Sequence, residues 1–136
     1  MFDKLTFKAQ TSVTNEAPAL ASTTDPLVRD IYKVGLNTLK ECMQTVYEDG
    51  PKRDRRLWIG DLYLEALANA YTFKNHELTK HCLYLLAAFA NDEGLLHATL
   101  LEKPQPHPQY GTHTLDYCLI YNVALLEYLK ETGDME

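Results

Sequence analysis

"EDGPKRDRRLWIGD", residues 48–61, sets four acids (Glu48, Asp49, Asp54, Asp61) and four bases (Lys52, Arg53, Arg55, Arg56) around Trp58, the single tryptophan of the chain. Gly50 and Pro51 break any helix that precedes them. Asp61 stands at or near the start of the next one, where a carboxylate is favoured. The plain reading is a solvated helix–helix connection, with Trp58 as a core anchor and surface ion pairs contributing at most about 1 kcal/mol each. The arrangement argues for more. Pro51 stiffens the entry, and Gly60 lets the backbone come close. The arginines offer planar donor forks that can hold Asp49, Asp54 or Asp61 in fixed orientation. An aromatic face beside oriented carboxylates suits a sugar, whose C–H faces pack on the ring and whose hydroxyls bond the acids. Glycoside hydrolysis needs two carboxyl groups flanking the scissile bond, one of them protonated.

Both sides of this loop are helical. Upstream, Asp25 is an N-cap and Pro26 a first helical residue. Leu27, Val28, Ile31, Leu36, Leu39, Met43 and Val46 then recur at helical spacing, predicting a helix that ends near Tyr47. Downstream, a second helix is expected from residues 59–61 to Tyr71, and a third from Asn75, as N-cap, to Ala90. A fourth starts near Thr114 and ends on a basic last turn and Gly133. Pro104, Pro106 and Pro108 make the connection before it extended. The stretches "LYLEALANAY", "CLYLLAAFA" and "LDYCLIYNVALLEYL" are apolar nearly all round, and such helices are covered on both sides. Four helices cannot easily cover one another, so an all-α arc of a larger array is expected. Its open faces would be closed by self-association or by further helices. Residues 1–24 differ: "LTFKAQTSV" alternates like one short strand and then gives way to a polar loop.

The 136 residues suggest one domain, and 46% apolar with 24% charged residues is ordinary for a globular protein. A net charge of −6 disfavours nucleic acid and anionic membrane as partners. The apolar runs are far short of the roughly 18–20 residues that span a bilayer, and "MFDKLTFKAQ" lacks a signal-peptide core. Cys42, Cys82 and Cys118 read as reduced packing residues, pointing to a reducing compartment and hence the cytoplasm. His76 and His81 are five apart, poor spacing for a shared metal. His107 and His113 flank Tyr110 in a loop that could reach over a pocket, but they read as solvated. Neither a metal nor a cofactor is expected. Tyr117, Tyr121 and Tyr128 share a helix face and read as core, whereas Tyr63, two residues after Asp61, could face a sugar.

"DGPKRDRRLWIGD" resembles the motif that opens the catalytic domain of the α-L-rhamnosidases of glycoside hydrolase family 78. "TTDPLVRDIYKVGLNTLKECMQ" resembles that family's first barrel helix, and "LDYCLIYNVALLEYLKETGD" a later inner helix. The resemblance runs over roughly residues 20–134. It implies an (α/α)6 six-hairpin barrel, of which this chain supplies about a third. Residues 25–136 would be the partial barrel, and 1–24 a strand and linker remnant of a preceding β-domain. It implies inverting hydrolysis of terminal α-L-rhamnose without a cofactor. Asp54 would be the general acid, one methylene shorter than the Glu usual there. Asp49 and Asp61 would bind sugar hydroxyls, Arg53 would orient the carboxylates, and Trp58 would line the pocket. The family's base is a Glu from the later barrel. Glu127 and Glu131 lie on a helix resembling an earlier part, so neither is assigned to it. The rival readings are a non-catalytic helical module that binds a protein partner through its open apolar faces, and a truncated gene product.

Overall fold

The structure, a computed structural model, describes residues 3–6 and 8–135. The described residues form four helices: α1 (Pro26–Cys42), α2 (Ile59–Tyr71), α3 (His76–Ala88) and α4 (Leu115–Thr132). The all-α expectation holds apart from one small sheet. β1 (Leu57–Trp58), β2 (Thr99–Leu101) and β3 (His107–Pro108) form an antiparallel sheet in the order β1-β2-β3, with Leu57 opposite Leu100 and Leu100 opposite Pro108. The proline-rich connection is extended, as expected, and pairs as well. Pro108 lacks an N–H, so it fits only where no ladder bond is asked of it, as in an edge strand.

The N-terminal strand does not form among residues 3–6 and 8–24, and Phe7, within the expected stretch, lies outside the described residues. The segment after it closes the end of α1 instead. Ser12 N donates to Met43 O at 2.8 Å, and Thr11 Oγ1 donates to Lys40 O at 2.8 Å. These are carbonyls that a helix C-terminus leaves without partners. The helix stops at Cys42, five residues before the expected end. Glu48 N returns to Cys42 O at 2.8 Å, and Met43 pairs with Tyr47 across the turn. The turn sinks Met43, Val46 and Tyr47 together, at 0%, 1% and 0% exposure.

The apolar stripe of α1 is therefore only half used. Leu39 is buried, while Leu27, Val28 and Ile31 are exposed. On α4, Ala124 is buried, and Leu115, Leu119, Val123 and Leu126 face outward. The core lies between these helices and the turn after α1, with Leu57, Ile59, Leu62, Leu86 and Leu100 almost fully enclosed. α2 packs chiefly on α4. Gly60 meets Tyr117 near the start of both helices, while Ala70 and Tyr128 line one crevice near their ends, so the two run parallel. Both N-termini open at the same end, beside the sheet.

The turn from α2 to α3 hangs on Asn69, which is fully buried. Its Oδ1 accepts from Asn75 N at 3.0 Å, and its Nδ2 donates to Asn75 O at 3.0 Å. Asn75 in turn caps α3 by accepting from Leu78 N. Asn69→Leu removes both partners of the Asn75 backbone and should cost about 2 kcal/mol of stability. Urea unfolding measures this; an unchanged midpoint would mean that the turn holds itself.

Candidate functional site

The charged loop is closed at its ends by one residue pair. Asp49 N donates to Arg56 O at 3.0 Å, and Arg56 N donates to Asp49 Oδ1 at 3.0 Å. Inside, Arg53 N and Arg55 N both reach Gly50 O. Arg55 adopts φ 53°, a left-handed turn conformation that a non-glycine residue rarely takes. Its Nε donates to Pro51 O. Arg56 crosses to the strand region, where Nη1 donates to Gln109 Oε1 at 2.6 Å. The arginines thus brace the loop as much as they hold its carboxylates. Of the expected orienting contacts, one is present: Arg53 Nε lies 3.1 Å from Asp54 Oδ1. Arg53 is 87% exposed, so this pair contributes little to stability. Asp54 is half-buried.

The loop then enters β1. Trp58 pairs with Thr99 and is the N-cap residue of α2; Asp61 lies in the first turn of that helix. Trp58 is half-buried, its ring 6.4 Å from that of Tyr117 at an interplanar angle of 88°. This edge-to-face pair is more than the core anchor of the plain reading. Tyr117 packs against the core, as its helix face predicts, and also reaches the loop. It is half-buried in the first turn of α4, and it makes a wall of the candidate site with Trp58 and Asp61. A Cβ on Gly60 would lie 3.0 Å from the Tyr117 hydroxyl, so glycine is what lets the two helices meet here. Gly60→Ala should cost about 1–2 kcal/mol through overpacking. It should also shift the emission of Trp58, the one tryptophan, as Tyr117 is pushed aside. Unshifted emission would show that the tyrosine is not held there.

Burial, and then the neighbouring Asp49, push the Asp61 carboxyl above its usual range. Burial raises Glu48 too, against the attraction of Arg55 and Lys103. The sequence reading missed one member of this group. Glu65 is one helical turn beyond Asp61, and its carboxyl is pushed up to about 8, first by burial and then by Asp61, Asp49 and Glu48. Burial, and then Glu65, push the Cys42 thiol up to about 12. Oε2 of Glu65 is buried without a hydrogen-bond partner. The signal was there: Glu65 is the lone acid within "LYLEALANAY", a stretch otherwise almost wholly apolar. Tyr63, by contrast, does not face the site. It lines a crevice between α2, α3 and α4 with Ala124, Glu127 and Glu131. Two acids from the loop, Glu48 and Asp49, two from α2, Asp61 and Glu65, and an aromatic pair therefore share one end of the fold.

Among the described residues no group of three or more His, Cys, Asp or Glu is placed to hold a metal ion, and all three cysteines are free thiols. No helix among them is long and apolar enough to cross a membrane. The geometry suits a polyhydroxylated ligand: carboxylates to accept from hydroxyls and an aromatic wall to stack on.

Residues 17–136 match the bacterial alpha-L-rhamnosidase 6 hairpin glycosidase domain. A solved structure, described as a rhamnosidase from Klebsiella oxytoca with rhamnose bound, is 45% identical to the chain and superimposes with a TM-score of 0.86. That likeness covers 92% of this chain and 24% of the other, so the chain spans about a quarter of its neighbour's length. A search of curated proteins gives no match.

Proposed function

Since this chain belongs to the bacterial α-L-rhamnosidase six-hairpin glycosidase family, we propose that its charged loop and the first turn of α2 are the acid-side half of a site that hydrolyses terminal α-L-rhamnosides. The observation behind this is the aromatic pair of Trp58 and Tyr117 beside Asp61, with Asp49 raising the Asp61 carboxyl. The sugar stacks on Trp58. Asp49 and Asp61 accept hydrogen bonds from its hydroxyls, and Arg53 sets the orientation of Asp54. Asp54 gives its proton to the glycosidic oxygen as the bond to the anomeric carbon breaks. A water, deprotonated by a base on the opposite face, attacks that carbon and inverts it. The base comes from the remaining helices of the barrel, which also cover the outward faces of α1 and α4. No cofactor takes part. Residues 25–136 are the partial barrel domain, and 1–24 the linker towards a preceding β-domain. The protein works in the cytoplasm, in keeping with three free thiols, and has carbohydrate rather than nucleic acid or membrane as its partner.

The test is a titration of the purified chain with L-rhamnose, followed by Trp58 fluorescence. L-Rhamnose should give a saturable change and D-glucose none. Equal responses, or none to either sugar, would overturn the sugar site. The same chain should not turn over an aryl α-L-rhamnoside, because this half carries the acid and not the base. Turnover that Asp54→Asn abolishes would show that the chain completes the site by itself.

A further inference from the structure

The ends of the charged loop are held by backbone, through Glu48 N on Cys42 O and Leu57 in β1. Between those ends Asp49 and Arg56 close it with two bonds. Arg53 N and Arg55 N turn back to Gly50 O, Arg55 Nε to Pro51 O, and the Arg53 side chain to Asp54. Among the described residues, every hydrogen bond of residues 49–56 stays inside that segment except one: Arg56 Nη1 donates to Gln109 Oε1 at 2.6 Å. Gln109 is itself tied at both backbone groups. Its N–H donates to Thr99 O at 3.2 Å, and its C=O accepts from Thr112 Oγ1. Thr99 is fully buried and pairs with Trp58 across the sheet. A line of bonds therefore runs from the Asp49 carboxylate through Arg56 and Gln109 to the strand beside Trp58. The Arg56 guanidinium is always charged, and a bond from a charged donor is stronger than one between neutral groups.

We propose that Gln109 is a positioning residue for this site: it holds the Arg56 guanidinium against β2, the strand beside Trp58, and so keeps the Asp49–Arg56 closure of the loop at a fixed distance from that ring. This rests on the reading of Asp49 as a hydroxyl-binding acid and of Trp58 as the ring on which the sugar stacks. It goes beyond that reading by giving the site a member from the proline-rich connection, one that acts through Arg56 and touches no sugar. Gln109 suits the task. Its amide oxygen accepts from Arg56 without adding another carboxylate to Glu48, Asp49 and Asp61. Without the tie, the loop and the connection are free to move apart at the mouth of the site, and the Asp49 carboxylate shifts relative to a sugar lying on Trp58.

Gln109→Ala and Gln109→Glu test it on this chain. Alanine removes the acceptor of Arg56, whereas glutamate keeps an oxygen at the same reach. L-Rhamnose affinity, followed by Trp58 fluorescence, should fall about three- to tenfold in Gln109→Ala, the contribution of one hydrogen bond. In Gln109→Glu it should stay within about twofold of the parent, because a carboxylate accepts from the guanidinium at least as well. The Asp49 and Arg56 amide protons, which close the loop, should exchange with solvent about three- to tenfold faster in the alanine variant and at the parent's rate in the glutamate one. In an Arg56→Met background Gln109→Ala should change neither reading, because the tie is already gone. The urea midpoint should hold throughout, since Gln109 is exposed. Unchanged affinity and exchange in Gln109→Ala overturn the proposal. So does a glutamate variant as impaired as the alanine one, or an alanine effect that persists beside Arg56→Met. A midpoint that falls along with affinity overturns it too, replacing positioning by general stability. Exchange that responds as expected in chains that bind no L-rhamnose upholds the tie and overturns the sugar reading instead.

Discussion

Asp49→Ala is expected to weaken L-rhamnose binding by roughly ten- to a hundredfold, the loss of a hydrogen bond to a charged acceptor worth about 1.5–3 kcal/mol. The residue has two tasks. Its backbone N–H and its Oδ1 both bond Arg56, closing the loop that presents Arg53 and Asp54. Its charge raises Asp61. Alanine leaves the backbone bond but removes the acceptor of Arg56 N–H, so the loop should loosen as well as lose an acid. Asp49→Asn separates the tasks. It keeps an oxygen for Arg56 N–H and removes the charge, so the loop should stay closed while affinity falls by an intermediate amount. Titrations followed by Trp58 fluorescence would measure both variants. An alanine variant that binds as tightly as the parent would take Asp49 out of the site.

The helices were legible because each signal is local. Asp25 with Pro26 starts α1, with Asp25 Oδ1 accepting from Leu27 N at 2.8 Å. Asn75 caps α3, and Gly133 ends α4 in the left-handed conformation. The end of α1 was not legible, because its stop is tertiary: residues 11–12 arrive from far along the chain to take the last carbonyls, and Met43, Val46 and Tyr47 turn inward together. The sheet was missed for a related reason. Its strands are two or three residues long, too short for alternation to show, and they form because β2 pairs with Leu57 and Trp58 on one side and with the proline-bearing His107–Pro108 on the other. The excess apolarity of α4 was correctly read as a surface that four helices leave open. The charged loop was legible as a motif, but the depth of its neighbours was not. Tyr117 and Tyr63 have similar helical settings in sequence, and only the approach of α4 to Gly60 decides which one meets Trp58. Glu65 was passed over because the pattern marks it as an interruption, whereas its burial under Asp61 makes it part of the site.

The same burial makes stability fall as the solution is made alkaline, and the sign is fixed by where the proton sits. Unfolded, Glu65 titrates at its ordinary 4.5; folded, at about 8. Between these values the folded chain holds a proton that the unfolded chain has released, so stability drops by about 1.4 kcal/mol per pH unit there. It is fully retained below the unfolded value and levels off above the folded one. After allowance for residual solvent, the loss from pH 5 to pH 8 should be on the order of 3 kcal/mol. Asp61 and Glu48 are raised too and tilt the curve the same way. His97 opposes them: burial and His113 lower it, so the folded chain binds its proton late and loses stability as the pH falls through the histidine range. The two trends separate in Glu65→Gln. The parent's urea midpoint should fall from pH 6.5 to pH 8, while that of the variant should hold steady and exceed the parent's at pH 8. A parent midpoint that does not move would mean that Glu65 is solvated and shares no proton with the site.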